Sequence, residues 1–496
     1  MTTFLFASAK LTAWITPLWL LSVGVAAGML ILLLFYGALR LASPRMAEAF
    51  YDGVRESWLV PLAYMGIFLC VFSLVALPVV PARAVFRAVS RIPSVGPASQ
   101  QVTVPAATDN FTMPMPFRTS EIQTFTLESD RPITVITRTA RGFGQDGAAR
   151  LYAGKAETWQ RGGPLEKPFD PETASEWTIK NLGDKAATLT INYRTDIEYP
   201  QVRIVPVMTL CVIGLVAVYM LVRAMFPKVS AIALATSNEA MGQPLYYLVL
   251  IIGVCALLLF IYVPYNTFGE DIKMLKDQGL TTIMLLAIVL AIWSASTSIS
   301  EEIEGRTALT LLSKPIHRRQ FIIGKFLGII GPVILVHVLL GVPFLATVSY
   351  KVVYDARETA QLDPTWQQCF YEMVRTLPGM VLSFYETLVM AAISVALSTR
   401  LPMVANLLVC SSIYVLGHLA PLIVNSSYGE FAIVEFIGQF IATIFPNLDH
   451  FNIQAAIAGG ADVPGAYLWW ALVYCVLFCL GAMLLALAMF EDRDLA

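Results

Sequence analysis

Few residues in this chain have the types and spacing for chemistry. The four histidines, His317, His337, His418 and His450, are scattered, with no His-Glu-x-x-His and no neighbouring Cys/His set at ligand spacing, so no metal centre is expected. There is no Gly-x-Ser-x-Gly elbow and no Gly-x-x-x-x-Gly-Lys-[Ser/Thr] phosphate loop. Gly324-Lys325 continues with Phe326 and lacks the hydroxyl that would hold magnesium. Neither catalytic residues nor a directly bound cofactor are therefore expected. The seven cysteines lie in or beside apolar runs and outside the polar stretch 83–203, which excludes a disulfide framework there. Cys475 and Cys479, four apart on one helix face, read as packing residues.

Two polar features remain. The first is the stretch Ser300–Gly328, in which Glu301, Glu302 and Glu304 precede Gly305-Arg306-Thr307, Leu311-Leu312, Lys314-Pro315 and Arg318-Arg319. Glu302 and Arg306 are spaced i,i+4 in the order that supports a helix. Ile303, Leu309, Leu311, Leu312 and Ile316 supply an apolar face. Pro315 ends the helix, and Arg318 and Arg319 can snorkel at headgroup level. A short amphipathic helix beneath the membrane is expected. The second feature is Glu386, in Ser383-Phe-Tyr-Glu-Thr387 inside an apolar run. An acid in hydrocarbon needs a partner, water or a cavity. Glu386 would line a translocation path or a seam between two copies. The plainer reading is a packing residue, protonated or bonded to Tyr385 or Thr387. His337 and His418, within other runs, read as packed, hydrogen-bonded side chains.

The elements that position these groups follow from composition. Charged residues make up 14% of the 496, against about 25% in an ordinary soluble domain. Hydrophobic residues reach 57% and mean hydropathy is +0.67. A soluble enzyme and a disordered chain are excluded. A net charge of −2 speaks against a nucleic-acid partner. A span needs roughly 20 apolar residues. About nine runs qualify: Leu11–Leu41, opening with a short interfacial piece at Trp14 and Pro17, then Trp58–Val80, Ile204–Met225, Leu245–Val263, Thr281–Ser300, Phe321–Val348, Met380–Ser398, Pro402–Val424 and Tyr467–Phe490. Ile433–Phe445 is shorter and reads as interfacial or re-entrant.

Between the second and third runs, period-two alternation appears in Thr124–Leu127, Ile133–Thr137, Trp177–Lys180 and Ala187–Tyr193, with a turn at Asn181–Asp184. A β-sandwich of about 100 residues is expected, preceded by a flexible linker at Ser90–Ala106. The fold expected is an all-α polytopic membrane protein of about nine transmembrane helices with an inserted extracytoplasmic β-sandwich. Residues 1–82 hold two spans, 83–203 the β-rich domain and 204–229 a third span with a linker.

Basic residues set the orientation. Arg223 and Lys228, and further on Arg306, Lys314, Arg318, Arg319 and Lys325, put their segments in the cytoplasm. By counting, Ala42–Ser57 with Arg45 and Arg55 is a cytoplasmic loop, the β domain and the amino terminus are outside, and the carboxyl terminus is inside. Arg83, Arg87 and Arg91 run against the rule, from which long translocated domains largely escape.

The Ser300–Gly328 stretch resembles the type-2 ABC exporter permeases. These carry an acidic cluster, Glu-x-[Arg/Lys]-Thr, Leu-Leu-x-x-Pro-[Val/Ile]-x-Arg and Gly-Lys-[Phe/Tyr]-Leu-Gly. The chain reads Glu304-Gly305-Arg306-Thr307, Leu311-Leu312-Ser313-Lys314-Pro315-Ile316-His317-Arg318 and Gly324-Lys325-Phe326-Leu327-Gly328. Asp271–Leu280 resembles the family's first outer loop, and Ser230–Pro244 its amphipathic elbow helix. The resemblance covers about 230–496. It implies a permease core of six spans whose coupling helix docks on a separate ABC ATPase subunit. That subunit would hold the ATP and magnesium. A second permease copy, identical or related, would complete the complex in the lipid of a bacterial inner membrane. Gly324 and Gly328 would allow close helix packing. The added front spans and β domain lie outside the resemblance. The rival reading is a membrane-anchored sensor or envelope-assembly scaffold whose β domain binds a ligand; a membrane-embedded enzyme ranks last.

Overall fold

A computed structural model describes residues 2–114, 116–117, 121–139, 147–160, 174–263, 271–302, 317–425, 436 and 445–491. Contacts divide the chain into a helical unit, Met1–Val80 with Ile204–Ala496, and a second unit, Pro81–Arg203.

The second unit opens with helix α4 (Ala82–Arg91) and a short 3-10 turn, Ile92–Ser94, and then forms eight strands. These are β1 (Pro97–Val104), β2 (Thr108–Pro114), β3 (Ile122–Ser129), β4 (Ile133–Thr139), β5 (Gly147–Leu151), β6 (Glu157–Gln160), β7 (Ala174–Asn181) and β8 (Ala187–Thr195). The linker expected at Ser90–Ala106 is thus largely helix and strand: Val102 and Val104 turn their side chains into the core, opposite Leu189 and Ala187 of β8. Two antiparallel sheets form, in orders β1-β8-β3-β6 and β2-β7-β4-β5. Alternate residues from both, among them Phe125, Leu127, Leu189 and Ile191 from one and Val135, Trp177 and Ile179 from the other, make one core. That is a sandwich. The turn after β7 leads from one sheet to the other. Asn181 fixes it: Oδ1 accepts from Gly183 N at 3.1 Å, while Nδ2 donates to Pro105 O at 3.0 Å and Lys185 O at 3.1 Å. Arg91 of α4 makes a two-pronged pair with buried Glu121, at 3.0 and 2.7 Å, and the hydrogen bond to that carboxylate raises the pKa of its guanidinium.

The helical unit contains α1 (Thr2–Ala42), α2 (Pro44–Arg55), α3 (Leu59–Val75), α5 (Ile204–Met225), α6 (Pro227–Gly242), α7 (Pro244–Tyr262), α8 (Asp271–Ala295), α9 (Arg318–Glu358), α10 (Trp366–Val374), α11 (Leu377–Ser398), α12 (Met403–Asn425), α13 (Gln454–Ala458) and α14 (Gly465–Glu491). Among the described residues seven helical stretches are long and apolar enough to cross a membrane: Lys10–Ala42, Pro200–Met225, Pro244–Tyr262, Asp271–Glu301, Arg318–Glu358, Trp366–Ser398 and Gly465–Glu491. The run Trp58–Val80 gives only the 17-residue α3, bent 90° from α2, and α12 contributes a shorter apolar stretch, Met403–Leu419. Most of Ile433–Phe445 lies outside the described residues.

Three further sequence expectations change. Helix α1 runs unbroken through Pro17, so no separate piece precedes it. The segment Ala42–Ser57 is mostly helix α2 rather than loop. The stretch that resembled an outer loop, Asp271–Leu280, is the first part of α8; Leu275, Lys276, Gly279 and Leu280 are buried there, and their packing makes the stretch part of a span.

α8, α9 and α11 form the interior, through Ala291, Ala295, Phe321, Ile322, Ala391 and Val395. α5 and α14 instead expose apolar faces, including Leu210, Val218 and Leu221 on one and Leu477, Leu480 and Leu484 on the other, as lipid-facing helices do. Small residues set the closest crossings. A methyl at Gly24 of α1 would lie 2.7 Å from Met208 Cβ of α5. One at Gly324 or Gly328 of α9 would lie 2.8 Å from Ile232 Cβ or 2.6 Å from Thr236 Cβ of α6. The Ser237 hydroxyl donates to Gly328 O at 2.6 Å across that crossing.

Candidate functional site

The 41-residue α9, roughly 60 Å long, has ion pairs near both ends. At one end α8 gives way to the six-residue π-helical turn Ser296–Glu301, and the chain returns at His317 to begin α9. Glu304, Gly305, Arg306, Thr307, Leu311, Leu312, Lys314 and Pro315 lie outside the described residues, as does the expected coupling helix. Its two roots are described. Glu302 Oε1 accepts from Lys325 Nζ at 2.6 Å, with Lys325 buried and its ammonium 5.6 Å from the Phe321 ring centre. This bond joins the residue just past the π turn, and through it α8, to the second turn of α9. Arg318 Nη1 donates to the carbonyls of Phe490 (3.3 Å) and Glu491 (2.8 Å), the last residues of α14. A cation there meets unsatisfied carbonyls at the negative end of the helix dipole. Phe321 and Phe490 stack beneath it, 5.7 Å apart. Glu301 and Arg319 are exposed.

Sequence reasoning missed Glu239 of α6, which stands in the same field. Partial desolvation raises the pKa of its carboxyl, Lys325 pulls it down, and Glu302 and Glu301 push it up. Its position on the elbow segment, facing the later motif, could not be read without knowing that α6 packs on α9.

The π turn is held from both sides. Asn406 Nδ2 of α12 lies 2.8 Å from Ser296 Oγ, 2.8 Å from Ser394 Oγ and 2.9 Å from Ser398 Oγ. Ser300 Oγ donates to Leu401 O at 2.9 Å. On the other side Gln243, just past α6, donates to Thr297 Oγ1 at 3.2 Å and accepts from Trp293 Nε1 at 2.7 Å. A π turn marks local strain and recurs at functional positions. The hydroxyl run Ser294, Ser296, Thr297, Ser298, Ser300 was the available signal.

The opposite end is closed. Lys351 is buried and lies 3.0 Å from Asp355, 3.7 Å from Asp271 and 3.2 Å from Ile261 O. Buried Lys276 is paired with Glu372. Asp271, Asp355 and Glu358 are close enough together to share a cation, but the Lys351 ammonium already occupies that field. Lys10 pairs with Asp363 at 3.1 Å on the same side.

Between the ends lies Glu386, fully enclosed. Neither neighbour named from sequence satisfies it: Thr387 donates to Ser383 O, and Tyr385 is not bonded to it. The nearest polar group is His418 of α12, whose Nε2 is 3.4 Å from Glu386 Oε1. His337, also buried, places Nδ1 3.0 Å from Val333 O.

These features define a multi-pass helical membrane protein with a polar junction at the foot of a central helix. Over residues 254–495 the chain matches the family model of the ABC-2 family transporter protein, the family that the Ser300–Gly328 motif resembles. This part of the chain is similar to the membrane domain of ABC transporter permeases, a family of transport components without an ATPase domain of their own. No curated protein matches the chain.

Proposed function

We propose that the chain is the permease subunit of an ATP-driven exporter in a bacterial inner membrane. It would pair with a second copy, identical or related, and with separate ABC ATPase subunits that hold ATP and magnesium. The ATPase would grip the segment between Glu302 and Arg318, with Glu301, Glu304, Arg306, Lys314 and Arg319 fixing the register and Leu311, Leu312 and Pro315 giving the contact its shape. The observation that carries this reading is how the segment is rooted. Glu302–Lys325 ties α8 to α9, and Arg318 ties α9 to the last residues of α14. A pull on the segment therefore reaches three helices at once, which is what coupling to a remote ATP site demands. In this arrangement the sandwich is extracytoplasmic, and a path opened along α11 and α12 would expose Glu386.

The reading is tested by purifying the full chain from its own host and measuring ATPase that comes with it. Arg306→Glu together with Pro315→Ala should cut the retained ATPase at least tenfold and leave the permease folded. Undiminished retention, or labelling of Lys314→Cys only from the extracytoplasmic side, would refute it.

A further inference from the structure

Glu386 and His418 make a site to which no role in coupling has been given. Glu386 is fully enclosed, and among the described residues neither of its oxygens has a hydrogen-bond partner. Nε2 of His418 stands 3.4 Å from Oε1. The other ring nitrogen, Nδ1, is 3.1 Å from the carbonyl oxygen of Tyr414. A carbonyl cannot donate, so Nδ1 carries the hydrogen of that bond. In a neutral ring Nε2 is then a bare acceptor, and facing it with a bare carboxylate would set two acceptors against each other. One proton between the two groups removes the conflict, whether it rests on Oε1 or on Nε2, and leaves the pair with no net charge.

The surroundings demand that neutrality. Among the described residues, the other titratable groups packed around the pair are Tyr385 on the same helix, Cys410 and Tyr414 of α12, His337 of α9, Tyr474, Cys475 and Cys479 of α14, and Asp449 and His450 of the turn Leu448–Phe451. None is a lysine or arginine, and α8 contributes Met284, Ile288 and Ile292. Asp449 adds negative field at Glu386. An uncompensated carboxylate in this setting is costly.

We propose that Glu386 and His418 form a one-proton binding site that latches α11 to α12. The proton belongs to the pair, not to either residue. A carboxylate and an imidazole parted into water hold no proton between them above about pH 6.5, so parting these helices at neutral or higher pH releases one. The inference rests on the geometry of the pair and does not require an ATPase partner.

The test uses the full-length chain, labelled with 15N-histidine and held in lipid nanodiscs. The chain's four histidines give few signals, and His418→Gln assigns the one of interest. The pair should keep its proton to a midpoint at least one pH unit above that of the exposed His317 ring, a tenfold tighter hold. In Glu386→Gln, a near-isosteric change, the His418 midpoint should fall below that of the wild type by at least the same tenfold. A wild-type His418 that titrates together with His317 overturns the proposal without recourse to any variant. So does a His418 titration unchanged by Glu386→Gln.

Discussion

The two ends of the helical unit treat charge differently. At the end holding Asp271, Lys351 and Asp355, two ammoniums are sealed: Lys276 and Lys351 are almost fully enclosed, and each is paired with acid. At the end holding Glu302 and Lys325, one pair is sealed while Glu301, Arg319 and Glu239 remain exposed around it. The first pattern staples helices together. The second anchors a base and leaves charge on offer. The difference separates residues that hold the bundle from those that the proposed function offers to a partner, although both sets are charged and both flank the same long helix.

The largest effect should come from breaking the sealed end. Lys351→Met removes the cation between Asp271 and Asp355 and leaves carboxylates partly buried without compensation. Loss of one partner of a buried pair costs about 3–5 kcal/mol. Denaturant unfolding of the purified protein in detergent should show a loss of that order. A loss below about 1 kcal/mol would mean that the cluster is wetter than its burial implies, and the contrast between the ends would weaken.

A smaller loss is expected at the hinge between α8 and the exposed end. Asn406→Leu deletes the amide that holds Ser296, Ser394 and Ser398 and leaves their hydroxyls to find other partners. Buried polar groups left unpaired cost about 1–3 kcal/mol. Hydrogen exchange should quicken in Ser296–Glu301 while α9 stays protected. Uniform quickening across α8, α9 and α11 would show that Asn406 supports the whole bundle rather than the turn.

Much of this architecture is legible in the sequence because the bilayer imposes lengths. Seven of the apolar runs emerge as helices of spanning length, and the alternation at Ile133–Thr137 and Ala187–Tyr193 falls within β4 and β8. What resists reading depends on neighbours. Asp271–Leu280, which resembled an outer loop, carries two aspartates and two lysines; Lys276 becomes tolerable inside a helix only because Glu372, 96 residues on, meets it. Ser90–Ala106 looked flexible, yet β1 is ordered by pairing with β8, whose partner residues lie more than 80 positions away. Glu386 was visible as an oddity, but its partner was not, since nothing local links 386 to 418.

The finest test of the contrast is a substitution that should do almost nothing to the fold. Arg319 is exposed in the first turn of α9, where the helix dipole disfavours a cation. Its neighbour Arg318 offsets that cost by bonding the end of α14; among the described residues Arg319 makes no such bond. Arg319→Ala should therefore change stability by no more than about 0.5 kcal/mol, whereas Arg318→Ala should cost more, because it strips the Phe490 and Glu491 carbonyls of their donor. The order should invert for partner binding: retained ATPase should fall several-fold in Arg319→Ala at physiological salt and recover in Arg319→Lys, since an exposed charge at an interface acts mainly through attraction and register. Equal retention by Arg319→Ala and the wild type across a salt series would return this residue to the class of ordinary solvated cations and shrink the grip to the segment between Glu302 and Arg318.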